Sequence, residues 1–321
     1  MTLRSRLGAA VMLALLVALG ACGTQKTDRG TPAPAAAVRI QNKGSDTMVN
    51  LALAWAEAYG QIHPEVEIAV TGGGSGTGIA ALINKTADIA NASRQIKTEE
   101  RSQAQANGVE PMEVEVARDA IAIVVHPSNP VNGLTVPQLS AIFSGQITNW
   151  REVGGQDRPI VLLSRESNSG THVFFLEHVV RQGSTDDRTL FSPDTLLMPS
   201  SEGISAEVRR NPNAIGYDGL GYVTPDQKVV AVAPAAAKPY VLPMVATVND
   251  GSYPIARALY VYTAGESQGA IRAYLDWILG PAGQEIVKAQ GFVPLQQSDI
   301  GDGVQGLVIG PFPRWQDSES E

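Results

Sequence analysis

Three short segments of this chain combine hydroxyl side chains with positions where backbone N–H groups are left unpaired. Ser75-Gly76-Thr77 and Ser169-Gly170-Thr171 each fall where an extended segment gives way to a helical pattern, and Ser45-Asp46-Thr47 occupies a third such junction. The first turn of a helix offers N–H donors and the positive end of the helix dipole, and short hydroxyls add donors without a full counter-charge. Such groups suit a small oxyanion held in a dry cleft. Arg165, at a strand end shortly before Ser169, can give two parallel hydrogen bonds to a tetrahedral anion while the following amides take its other oxygens. Arg94, in Asn91-Ala92-Ser93-Arg94, could present a second cation, with a solvent-facing arginine as the alternative. In open parallel sheets ligands lie at the carboxyl ends of strands, where Ser45, Ser75, Arg94 and Arg165 all fall.

Other chemistries fit less well. The loop 72–78 lacks the G-x-G-x-x-G register of a dinucleotide site and the terminal Gly-Lys-Ser/Thr of a phosphate loop, and Thr77 stands where a nucleophile elbow needs its second glycine. Of the four histidines, His63, His126, His172 and His178, His172 follows Thr171 and could activate a serine. On the first turn of a helix, however, it is expected to point sideways into solvent or an interlobe contact. No metal-ligand spacing appears, and no cofactor, metal or catalytic step is expected.

The elements that would position these turns alternate. Strands are expected over 38–40, 66–71 and 88–92, and helices over 48–59, 79–83 and 98–107, an order that points to an α/β fold with a parallel sheet. A strand at 120–125 ends in the turn chemistry of His126-Pro127-Ser128-Asn129-Pro130, and a first crossing between two lobes is placed just before it. Helix 135–143, strand 160–163, the helix opening at Ser169 and helix 201–210 would form the second lobe. The segment 253–262 would begin the return, followed by helices 268–279 and 281–290 and a short strand 292–294. The boundaries are 38–117 with 252–312 for lobe 1 and 118–251 for lobe 2. Two crossings make a hinge, which suits closure on a ligand.

The chain's ends and charge set its location. Arg4 and Arg6, an apolar run from Leu7 to Leu19 and then Leu19-Gly20-Ala21-Cys22 have the layout of a secretory signal over 1–21. Cys22, the single cysteine, resembles the lipidated residue of a bacterial lipobox. The polar stretch 22–37 reads as a flexible tether, and 313–321 as a loose acidic tail. The formal charge is −8, and −10 once Arg4 and Arg6 go with the signal, which argues against nucleic acid as a partner. Anion binding must then be local, built from dipoles and one or two arginines.

Lys43-Gly44-Ser45-Asp46-Thr47-Met48, the loop 71–78, Asp88-Ile89-Ala90-Asn91-Ala92-Ser93-Arg94, the segment 165–175, Ile215-Gly216-Tyr217 and Gly291-Phe292-Val293-Pro294-Leu295 occur together. With these motifs the chain resembles the phosphate-binding lipoproteins of bacterial high-affinity phosphate ABC importers. The resemblance implies a class II periplasmic-binding-protein fold of two α/β lobes closing over one phosphate. It implies Ser45, Thr47, Ser75, Arg165, Ser169, Gly170 and Thr171 as ligands, with Arg94 at the same sheet edge. It also implies an ABC permease as partner, a membrane attachment through lipid at Cys22, and a monomer. Some family members end the third strand in Ser-Asp, where the carboxylate accepts the phosphate proton. Here Arg94 follows Ser93, so Asp46 is the candidate acceptor, with serine hydroxyls as further acceptors. Rival readings are a carrier of sulfate, molybdate or tungstate, and a surface sensor or adhesion protein on the same fold.

Overall fold

The computed structural model describes residues 37–296 and Asp299. The expected signal, Cys22, the tether up to residue 36 and the acidic tail lie outside the described residues. The first third of the body is built as expected from strand–helix pairs: β1 (Val38–Gly44), α1 (Val49–Ile62), β2 (Val66–Thr71), α2 (Ser75–Ile83), β3 (Ile89–Ala92) and α3 (Thr98–Ala106). In α1 the apolar residues Leu51, Ala52, Trp55 and Tyr59 recur on one face and all are buried, which is why this stretch is helical. Trp55 satisfies its indole N–H on Gly283 O at 2.9 Å.

The chain continues through β4 (Met112–Val125), β5 (Gly133–Thr135), α4 (Val136–Phe143), β6 (Val161–Arg165), α5 (Gly170–Phe175), β7 (Leu196–Met198), α6 (Ser201–Arg210), β8 (Ala214–Gly219), β9 (Lys228–Ala233), α7 (Val245–Asn249), β10 (Ala256–Thr263), α8 (Gly269–Leu279) and α9 (Pro281–Ala289). The strand order is β2-β1-β3-β10-β4-β8-β6-β7, with β9 pairing β4 and β5. β1, β2 and β3 are parallel, as are β6, β7 and β8. The parallel sheet expected from the opening strand–helix units is found in β1, β2 and β3, and the returning β10 then inserts antiparallel between β3 and β4. β4 in turn runs antiparallel to β8 and β9. A strand that comes back from the far end of the chain without a crossover helix has no constraint to be parallel. The expected strand at 292–294 reduces to a single bridge between Val293 and Arg118.

β4 is longer than the 120–125 read from sequence, and it carries the chain between two cores. Up to Ala120 it pairs with β10, and from Ile121 onward with β8. Its Val114, Val116 and Ala117 belong to a cluster around Trp55, Tyr59, Leu259 and Tyr274. Its Ala120, Ile121, Ile123 and Val125 belong to a second cluster around Phe143, Trp150, Phe175 and Tyr217. In that second core Phe175 and Tyr217 stack with centroids 3.8 Å apart. The short strands β5, β7 and β9 and the helix α7 carry too little periodicity to be read from sequence.

Candidate functional site

β1 delivers the first turn. Ser45 N–H donates to Asn91 O at 2.8 Å, and one turn of 3₁₀ helix over Asp46–Met48 leads into α1. Ser45 is buried, and its Oγ has no hydrogen-bond partner among the described residues. A buried hydroxyl without a partner costs about 1–3 kcal/mol, so its retention points to a ligand. β2 delivers the second turn, where Gly74 has φ +92° and a Cβ there would lie 2.7 Å from Asn168 O, so glycine is required on both counts. α2 then opens at Ser75, whose Oγ accepts from Ser93 N–H at 3.0 Å and lies 3.3 Å from Ser93 Oγ.

β6 delivers the third turn. Ser169 caps α5, its Oγ facing His172 N–H at 3.5 Å. At position 170 a Cβ would lie 2.6 Å from Ser93 Oγ and closer still to Ser75 Oγ, so the third turn is packed directly on the second. Gly76 N–H donates to Asn168 O at 3.1 Å, and Asn168 Nδ2 donates to Gly73 O at 2.9 Å. Thr171 Oγ1 meets Thr47 Oγ1 at 2.7 Å, joining the third turn to the first. The three hydroxyl-bearing turns thus converge, although Thr47 and Thr171 are 124 positions apart.

Arg165 is buried beside them. Its Nε donates to Met198 O (3.3 Å), Nη1 to Ser201 Oγ (2.9 Å) and Nη2 to Pro199 O (3.0 Å), while Nη2 pairs with Asp46 Oδ2 at 3.0 Å. Of the five guanidinium N–H groups one, on Nη1, is left for a ligand in this arrangement, rather than the two parallel bonds expected from sequence. Asp46 Oδ2 also accepts from Ser201 N–H at 3.1 Å, so the candidate proton acceptor has one oxygen occupied by Arg165 and the start of α6. Arg94 turns elsewhere: its Nη1 and Nη2 bind Glu100 at 2.8 and 2.7 Å. The second cation expected at Arg94 is thus ion-paired with a carboxylate on α3, although its buried Nε has no hydrogen-bond partner among the described residues. His172, expected to face solvent or an interlobe contact, instead lies against Phe191 with ring centroids 4.6 Å apart, its Nδ1 3.1 Å from Ser164 Oγ. Burial lowers its pKa, which favours the neutral imidazole.

Converging hydroxyls and helix-start amides beside the buried Arg165 guanidinium, within an acidic protein, form a site for a small tetrahedral oxyanion. Over residues 31–282 the sequence matches the PBP superfamily domain. It is 34% identical over 273 residues to the phosphate-binding protein PstS of Pseudomonas aeruginosa, across 80% of this chain and 83% of that protein. The chain belongs to the PBP superfamily, among the PstS phosphate-binding proteins. PstS of Bacillus subtilis is 29% identical over 308 residues, 92% of this chain and 96% of that one. A Clostridium perfringens substrate-binding protein crystallised with bound phosphate superimposes with a TM-score of 0.71 at 32% identity, covering 80% of this chain and all of that one. These relatives carry the names of a phosphate-binding protein and of a phosphate ABC transporter substrate-binding protein.

In this PstS-family chain a further buried cation escaped the sequence reading. Arg257, on β10, donates from Nε and Nη2 to Asp119 Oδ2 at 3.1 and 2.8 Å, from Nη1 to Ser93 O at 3.0 Å, and from Nη2 to Thr171 Oγ1 at 3.0 Å. Asp119 is fully buried and its Oδ1 accepts from Leu220 N–H at 2.9 Å. Burial pushes the Asp119 carboxyl up, against the pull of Arg257, and burial lowers the Arg257 guanidinium in turn. Tyr222 adds a hydroxyl that donates to Asp46 O at 2.9 Å. The available signal for Arg257 was a lone charge within the otherwise apolar β10, which is costly unless paired, whereas Asp119 shares β4 with Glu113, Glu115 and Arg118.

Proposed function

We propose that this protein captures inorganic phosphate outside the cytoplasm and hands it to the membrane subunits of an ABC importer. The observation that carries the reading is the meeting of Thr47, Ser75, Gly170 and Thr171 beside Arg165, with the buried Ser45 hydroxyl unpartnered in the same turn as Thr47. Kinship with the PstS proteins supports phosphate as the anion. The ligand set is Ser45, Thr47, Ser75, Arg165, Ser169, Gly170 and Thr171, with Thr171 held by Arg257. Arg94 acts one step removed, bracing the third strand's end through Glu100.

We further infer two lobes, 38–117 with 252–312 and 118–251, hinged where β4 and β10 pass between the two cores. The change of partner along β4 between Ala120 and Ile121 supports that boundary. The bonds Thr47–Thr171 and Asp46–Ser201 cross it, so they are closure contacts in this reading. Lipidation at Cys22 would keep the protein beside its permease, as a monomer. Discrimination against sulfate needs an acceptor for the ligand proton, and Asp46 Oδ1, the oxygen not engaged by Arg165, is suited to it. An acceptor left facing sulfate costs about 1–3 kcal/mol.

Titration calorimetry of the purified protein tests the reading. Phosphate is expected to bind, and Arg165→Ala to weaken it by about 3–5 kcal/mol, because the anion loses its buried cation and faces an uncompensated Asp46. Absence of binding heat in the wild type, or displacement of phosphate by equimolar sulfate, would reject it.

A further inference from the structure

Beneath the converging turns lies a buried acid that the ligand set does not use. Asp218, on β8, is 1% exposed. Its Oδ1 accepts from the N–H of Gly219 at 3.0 Å, and its Oδ2 has no hydrogen-bond partner among the described residues. Across the sheet its neighbour on β4 is Ala122, which offers no polar group. The charged and titratable groups around it come from every adjoining element. Arg165 approaches from β6 and the Ser201 hydroxyl from α6, and Asp119 and Arg257 act on it from β4 and β10. Tyr222, which also feels Asp46 and Glu202, completes the set.

The charges in this set nearly cancel. Arg165 pairs with Asp46 and Arg257 pairs with Asp119, two guanidinium groups against two carboxylates. An ionised Asp218 would be a third carboxylate with no cation of its own, in a region from which water is excluded. The arrival of an anion beside Arg165 would then place two uncompensated negative charges close together. A carboxyl in that position resolves the conflict by taking a proton, since a nearby like charge disfavours its ionised form.

We propose that Asp218 is a proton-linked partner of the anion site, taking up a proton on Oδ2 from solvent as phosphate binds, so that Arg165 faces the ligand rather than a competing carboxylate. The inference rests on the anion site described above. The step forms one O–H bond to a solvent proton and changes no other covalent bond. Burial, opposed by Ser201 and Arg165, pushes the Asp218 carboxyl up to about 7, so a modest further rise on binding falls in the neutral range. The sign follows from linkage: the bound state holds the proton more tightly than the free state, so proton uptake accompanies binding, and affinity falls as pH rises through the Asp218 range.

The test is calorimetric titration of the purified protein with inorganic phosphate at about pH 8, in paired buffers of different ionisation enthalpy, which counts protons exchanged per phosphate bound. The wild type is expected to take up more than about half a proton beyond that of Asp218→Asn, and its affinity to fall more steeply with pH, by up to about tenfold per unit relative to the variant. Equal proton counts in the two proteins would overturn the proposal while leaving phosphate capture intact. Failure of the wild type to bind phosphate would remove both readings. A variant that does not fold is replaced by difference infrared spectroscopy of the wild type, phosphate-loaded minus free. Growth of a protonated-carboxyl band supports the assignment, and an unchanged carboxyl region overturns it.

Discussion

Replacing Gly170 by alanine isolates the contact between the second and third turns from every other property of the site. The added methyl would lie 2.6 Å from Ser93 Oγ and 3.0 Å from Ser75 Cβ, with Ser75 Oγ closer still. Ser75 Oγ cannot rotate away without releasing Ser93 N–H, which it accepts at 3.0 Å in a fully buried setting. A lost buried hydrogen bond costs about 1–3 kcal/mol and overpacking adds about 1–3 kcal/mol, so the turns are expected to separate at a cost of about 2–6 kcal/mol. At 1.4 kcal/mol per decade this is about thirtyfold in phosphate affinity or more. Alanine is the better helix former by about 1 kcal/mol, so α5 itself is not weakened by the change. Calorimetric titration gives the affinity and urea unfolding of the ligand-free protein gives the stability. Expected is a large loss of affinity with a small change in ligand-free stability, because in the proposed open form the two turns would be apart. Wild-type affinity in Gly170→Ala would refute the packing of Gly170 on Ser75. An equal loss of ligand-free stability would refute its assignment to closure.

Asp119→Ala leaves the fully buried Arg257 without its carboxylate and is expected to lower unfolding free energy by about 3–5 kcal/mol, read from urea midpoints. Glu100 supplies a pH signature. Burial would raise its pKa, but the bonds from Arg94 and from Lys97 N–H outweigh it and hold the carboxyl below its ordinary value. A depressed folded pKa gives stability that is present above the unfolded value and lost as pH falls through the folded one. Glu100→Gln is therefore expected to be the less stable protein at neutral pH, with the gap narrowing in urea titrations as pH falls through and below the ordinary glutamate range. A gap that does not change with pH would contradict the pairing with Arg94.

The turns were legible because their chemistry is local. Ser169 caps a helix three residues ahead, and Gly74 marks a positive φ, so neither needs a distant partner to be recognised in the chain. The helices α1 and α6 were legible for the same reason, their buried faces repeating at helical spacing. β7 and β9 were not, since strands this short or this half-exposed acquire their structure from the strands beside them. The pairing of Arg94 was not legible, because strand-end position does not show which carboxylate a long side chain will meet, here Glu100 on α3.

By itself the sequence determined the α/β alternation, the hydroxyl-rich turns at strand ends, and an arginine, Arg165, at the end of a strand just before one of them, each a matter of residue type within a few positions of its neighbours. Only the tertiary structure decided that β10 returns antiparallel between β3 and β4, bringing Arg257 onto Asp119 and Thr171. It alone set Asp218 against Arg165 with an oxygen unpaired. The physical reason is range. Helix capping and turn conformation act over a few residues of chain. A buried charge is defined by partners that the fold brings from more than a hundred positions away, as Asp119 and Arg257 are.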